Sequence, residues 1–179
     1  MPDRALFSRF LDIIYRGFQF LAWVLMGLLI VPVTLQILSR YTGLIPRWIW
    51  TEEAARFCFI WIIMVGATIA VRDGTHFEVD VLPTPKSTKA EAILRLWVNA
   101  AMLVFTWIFV IYGWQYAKFG WIQTSELTGI NMIFINGVYF VAGVIWTLFI
   151  GERVWYAVRV LRGDDSALAY LRGDYNVAR

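Results

Sequence analysis

Residues 96–117 read LWVNAAMLVFTWIFVIYGWQYA, a run of 22 residues without Asp, Glu, Lys, Arg or His. An α-helix rises about 1.5 Å per residue, so about 20 apolar residues cross a hydrocarbon core of about 30 Å. In lipid the backbone must satisfy its own hydrogen bonds, and a helix does so within one segment. This stretch therefore reads as a transmembrane helix. Three more charge-free stretches lie at Gly17–Ser39, Phe57–Val71 and Leu127–Gly151. The second is 15 residues long, but it extends back to Thr51 as a span of 21.

The expected fold is an all-α integral membrane protein with four transmembrane helices. The spans fall at about 18–40, 51–71, 95–117 and 129–151. One membrane domain then covers residues 1–160, and residues 161–179 form a charged cytoplasmic tail. The 179 residues are 60% hydrophobic and 17% aromatic, more apolar surface than a soluble domain of this size can cover.

Basic residues set the orientation. With the N-terminus inside, twelve of the sixteen Lys and Arg residues flank the spans on the inner side. Only Arg40, Arg47, Arg56 and Lys118 fall outside. The positive-inside rule then places both termini in the cytoplasm. Charges that flank apolar spans point to lipid headgroups as partners, and no nucleic acid is expected.

Residues 1–16 interleave Leu6, Phe7, Phe10, Leu11, Ile13 and Ile14 with Arg4, Arg9, Asp12 and Arg16. Two readings stand side by side: an amphipathic interfacial helix, or a helical run-in to the first span. Pro32 lies within that span, where membrane helices tolerate it. Trp48 and Trp50 suit the outer interface, with rings in lipid and N–H groups in water.

Thr51 is a candidate cap for the second helix, with Glu52 and Glu53 at its positive dipole end. Gly66 and Ala70, four apart, offer a face for close helix packing, as do Gly113 and Ala117. Arg72, Asp73 and Gly74 read as a helix stop. Thr88 to Glu91 is a capping-box pattern opening the third helix. Trp23, Trp61, Trp107 and Trp146 lie within spans, where packing is the simpler role.

Several chemistries lack their residues. Ion-coupled carriers commonly place an ionisable group in the membrane, and none stands inside these charge-free runs. The single histidine, His76, lies in a loop and no haem-ligand pair is evident. There is no clustered zinc-ligand pattern, no Gly-x-Ser-x-Gly elbow and no phosphate loop. Neither a cofactor nor a catalytic role is expected, and the lone Cys58 cannot form an internal disulfide. These residues point to a scaffold or partner subunit, with a stand-alone small membrane carrier or channel as the alternative.

The order Arg40-Tyr41, Trp50-Thr-Glu-Glu53, Arg56, Trp61, Gly66-Ala67, Ala70, Arg72, Gly74, His76, Asp80 resembles a family pattern. It is similar to the small membrane subunit, the DctQ-like Q subunit, of tripartite ATP-independent periplasmic (TRAP) transporters. The detailed likeness covers about residues 40–82, and the four spans extend it. The resemblance implies a bacterial inner membrane location and a non-catalytic scaffold. Its implied partners are a large membrane subunit, which uses sodium, and a periplasmic substrate-binding protein; the cargo is an organic anion or related solute. It also marks Arg40, Trp50, Glu52, Glu53, Arg56, Trp61, Gly66, Arg72, Gly74, His76 and Asp80 as candidate partner-contact or structural residues. Trp50, Glu52, Glu53 and Arg56 are expected to organise the outer surface, through partner contacts or internal pairs. Arg72, Gly74, His76 and Asp80 are expected to fix the inner loop against the third helix or the large subunit.

Overall fold

The computed structural model describes residues 6–42, 46, 48–74, 87–126, 128–164, 167 and 171. Among the described residues there are four helices: α1 (Leu6–Tyr41), α2 (Trp50–Asp73), α3 (Thr88–Ile122) and α4 (Ile133–Leu161). Each is long and apolar enough to cross a membrane.

α1 and α3 hold 36 and 35 residues. At about 1.5 Å per residue both outreach a hydrocarbon core of about 30 Å. The surplus gathers at one end, here called the basal end. There the start of α1, the end of α2, the start of α3 and the end of α4 converge. The other end carries the α3–α4 turn.

The N-terminal segment is not a separate interfacial helix. From Leu6 it is continuous with the first span, which runs unbroken through Pro32. Its apolar residues are not all offered to a membrane surface, because Leu11 is fully buried in the core with Phe149 and Ile150.

α3 packs along α4, α4 against α2, and α2 against α1. The α3–α4 contact is close because small residues line it. A Cβ on Gly113 would lie 2.8 Å from the Phe140 backbone nitrogen, and one on Gly143 would lie 3.0 Å from that of Val110. The expected Gly113–Ala117 face is therefore used, and Gly120 continues it. At the expected Gly66–Ala70 face no described residue packs on Gly66, which is exposed with nothing within 4 Å of its Cβ position.

Tryptophans join α2 to α4. The Trp146 indole donates to the Thr68 hydroxyl at 2.9 Å, and that of Trp61 donates to the Phe134 carbonyl at 2.8 Å. Trp146 is buried and packs on Phe109, with ring centroids 5.1 Å apart. Trp23 and Trp107, of the same type and also mid-span, are 80% and 55% exposed.

Helix ends depart from the expected caps. Thr51 does not cap α2, which begins at Trp50; its hydroxyl donates back to the Trp48 carbonyl at 2.7 Å. The Thr88–Glu91 capping box does not form, because Ser87 precedes the helix and Glu91 pairs with Arg95 one turn on, at 3.0 Å. The Gly74 stop does form: its φ is +78°, in the left-handed region, and its N–H bonds the Ala70 carbonyl at 3.1 Å. α4 begins at Ile133, after a turn in which Asn131 bonds both the Trp121 carbonyl and the Ile133 N–H, each at 2.9 Å.

Beyond the spans a second small core forms at the basal end. Ala92 of α3 and Tyr156, Ala157 and Val160 of α4 enclose Ala167 and Leu171. The stretch after α4 thus returns two buried side chains to the helices.

Candidate functional site

Two polar clasps hold the helices at opposite ends. The basal clasp centres on Arg72, which is 2% exposed. Its position follows from the sequence: it is the first charge after the apolar run that ends at Val71, in the last turn of α2. Glu152 likewise follows the apolar run of α4. Both runs finish at the same end, so the two charges meet.

Arg72 donates to Glu152 through one terminal nitrogen and to Asp12 at 2.8 Å through the other. Its guanidinium carbon lies 5.0 Å from the centre of the Phe149 ring. The Ser8 hydroxyl donates to Glu152 and lies 2.8 Å from the Tyr156 hydroxyl. Arg153 donates to the Arg72 carbonyl at 2.8 Å, and Tyr15 donates to Asp73 at 2.6 Å. Arg72 pairs with Asp12 and Glu152 and so ties α1, α2 and α4 together, while Arg153 adds a second bond between α4 and α2. Taking such charges out of water costs several kcal/mol per ion, which only close pairing offsets.

Gly74 belongs to the same construction. A Cβ there would stand 2.6 Å from a terminal nitrogen of Arg153. Of the residues expected to fix the inner loop, Arg72 and Gly74 meet α4 rather than the third helix. His76 and Asp80 lie outside the described residues.

The second clasp lies at the turn end. Glu53 is 8% exposed and accepts the Ser125 hydroxyl. That hydroxyl also accepts the Thr128 N–H at 3.3 Å, and the Ser125 N–H bonds the Ile130 carbonyl at 2.8 Å. Glu53 thereby braces the α3–α4 turn against the start of α2. Of the residues expected to organise the outer surface, Glu53 faces inward and bonds within the chain. Its neighbours do face outward. Glu52 and Arg56 pair one turn apart at 3.4 Å, with side chains 70% and 64% exposed. Trp50 stacks on Trp48 at 6.3 Å between ring centres, and Arg40 is exposed in the last turn of α1.

Sequence reading missed Ser8, Asp12, Ser125, Glu152, Arg153 and Tyr156 as members of these clasps. One signal was available for the ion pair: Arg72 and Glu152 terminate apolar runs on the same side of the membrane. Nothing local marks Ser8 or Ser125. No group of three His, Cys, Asp or Glu side chains placed to hold a metal ion occurs among the described residues.

The fold and its clasps define a multi-pass membrane protein whose buried polar groups bind its own helices to one another. Residues 29–160 match the family described as tripartite ATP-independent periplasmic transporters, DctQ component. The chain belongs to that family, the small permease subunits of TRAP transporters, which work with a large membrane subunit in the inner membrane.

Named relatives agree. The chain is 26% identical over 147 residues to the sialic acid TRAP transporter small permease protein SiaQ of Vibrio cholerae, covering 82% of this chain and 84% of that protein. It is 25% identical over 120 residues to the C4-dicarboxylate TRAP transporter small permease protein DctQ of the same organism, 64% of this chain and 51% of that protein. A 78-residue stretch, 44% of this chain, is 32% identical to 12% of the sialic acid TRAP transporter permease protein SiaT of Haemophilus influenzae.

Proposed function

We propose that this chain is a non-catalytic scaffold in a sodium-coupled importer of an organic anion or related small solute. In this reading the large membrane subunit binds sodium and moves the solute, and a periplasmic binding protein delivers it. Both termini lie in the cytoplasm, as the excess of basic residues on that side favours.

One observation carries the reading. Each buried ionised side chain among the described residues bonds another part of the same chain, and the stretches Gly17–Ser39, Phe57–Val71, Leu96–Ala117 and Leu127–Gly151 carry no charge. A coupled carrier needs intramembrane charges or broken helices for its ions. The four helices run without a break, so the coupling chemistry is assigned to the partner chain.

The surface toward that partner is assigned to α2. Phe59, Ile63 and Gly66 recur at helical spacing and are all exposed, with open space at Gly66. A small residue flanked by large apolar ones lets a second helix approach closely.

Proteoliposomes test the proposal. Sodium-driven uptake is expected with this chain, the large subunit and the binding protein together, and loss of uptake when any one is omitted. Uptake by this chain alone would overturn the reading. Reporter fusions at each terminus test the orientation, and a periplasmic signal from either end would refute it.

A further inference from the structure

α3 packs against α4, and on one flank of that contact the two helices leave an open groove of about 400 Å³. This falls within the roughly 300–1,000 Å³ typical of small-molecule sites. Ile108, Phe109 and Gly113 supply apolar lining, and Tyr112, Tyr116 and Tyr139 complete it. Its depth follows from the helix ends. Tyr116 lies six residues before Ile122, where α3 ends, and Tyr139 six residues after Ile133, where α4 begins. At about 1.5 Å per residue both sit about 9 Å inside the turn end.

The three hydroxyls are the informative feature. Tyr112 and Tyr116 are 64% and 46% exposed, and Tyr139 is half-buried beside Tyr116 at 5.8 Å between ring centres. None of the three hydroxyls has a hydrogen-bond partner among the described residues. A phenol facing hydrocarbon needs an acceptor, and lipid tails offer none. At the depth of Tyr116 and Tyr139 the acceptors native to a bilayer are the ester carbonyls and phosphate oxygens of its lipids, and Tyr112 lies one turn deeper, about 15 Å in. Apolar lining below three phenol donors matches a molecule with an apolar tail and acceptor oxygens at one end.

We infer that the α3–α4 groove binds one glycerophospholipid, with an acyl chain along Ile108 and Phe109 and its ester or phosphate oxygens accepting from Tyr112, Tyr116 and Tyr139. The inference requires only the membrane location and does not depend on the scaffold proposal. The bound lipid would fill the flank of the α3–α4 contact.

Native mass spectrometry of the full chain tests it, after release from nanodiscs of phosphatidylethanolamine and phosphatidylglycerol. The wild type is expected to retain one phospholipid. The triple variant Tyr112→Phe, Tyr116→Phe, Tyr139→Phe removes three oxygens and keeps the rings. It should lower lipid retention by about tenfold or more, since each lost hydrogen bond weakens binding several-fold. Ile108→Trp fills the groove, keeps the hydroxyls, and should lose the lipid as well. Equal retention by wild type and both variants would overturn the inference. It would also be overturned if the wild type holds no lipid and the tyrosine variant instead loses co-purified large subunit, which makes the groove a protein contact.

Discussion

Arg72 and Glu152, eighty positions apart, meet as a buried ion pair that joins the end of α2 to α4. Asp12 completes the contact from α1 at 2.8 Å. Glu152→Ala should therefore destabilise the protein by about 3–5 kcal/mol, as expected when one member of a buried pair is removed. Replacing both Arg72 and Glu152 by methionine should cost less than Arg72→Met alone, because Glu152 is then not left buried without its partner. Thermal unfolding in detergent measures all three variants. A double variant no more stable than Arg72→Met would show that the pair does not act as a unit.

Residues before the first charge-free run are structural for the same reason. Ser8 and Asp12 enter the clasp, and Leu11 is fully buried. Leu11→Ala should cost about 2–5 kcal/mol, the usual range for a large-to-small change in a core. Ile13→Ala, at a site 69% exposed, should stay within about 0.5 kcal/mol in detergent, as surface changes do. Equal losses at the two positions would count against the observed packing.

Two mid-span tryptophans make a sharper pair. Trp146→Phe removes a buried N–H bond to Thr68 and should cost about 1 kcal/mol. Trp23→Phe should leave the unfolding midpoint unchanged, because that ring is 80% exposed. A shift at Trp23 matching that at Trp146 would mean that α1 packs elsewhere than on α2.

This contrast marks how far the sequence can be read. Span number and type were legible because each helix is a local run of apolar residues long enough for the bilayer. Neighbour relations were not, because lipid-facing and helix-facing surfaces are equally apolar, so Trp23 and Trp146 look alike. Gly113 and Gly66 looked alike too, yet one meets the Phe140 backbone and the other meets nothing. Thr51 and the Thr88–Glu91 pattern failed as caps because each helix start is set by its surroundings. At α2, Trp48 and Ile49 already enter the first turn. Arg72 had the look of a solvated helix stop, and its burial depends on carboxylates from two distant helices.

The glycines separate folding from assembly. Gly113→Val should cost about 1–3 kcal/mol or more, since the added atoms meet α4 backbone that cannot move aside cheaply. Gly66→Leu enters open space and should leave the unfolding midpoint of the isolated chain unchanged. It should instead reduce co-purification of the large subunit if that subunit seats on α2. A stable Gly66→Leu chain that still binds the large subunit at wild-type yield would remove α2 as the docking face.

Adjacent glutamates allow the last separation. Glu53 faces the α3–α4 turn and Glu52 faces out to Arg56. Glu53→Ala should loosen the turn, costing about 1–3 kcal/mol through lost hydrogen bonds to a charged group. Hydrogen exchange at Ser125 and Thr128 should rise with it. Glu52→Gln should change stability by no more than about 1 kcal/mol, the ceiling for an exposed pair. Any effect of Glu52→Gln on uptake would then report a contact with a partner outside this chain. It should weaken as salt is raised, because exposed charges are screened within about 8 Å at physiological ionic strength. If Glu52→Gln lowers uptake only as far as it lowers stability, that residue has no role at the outer surface beyond its pairing with Arg56.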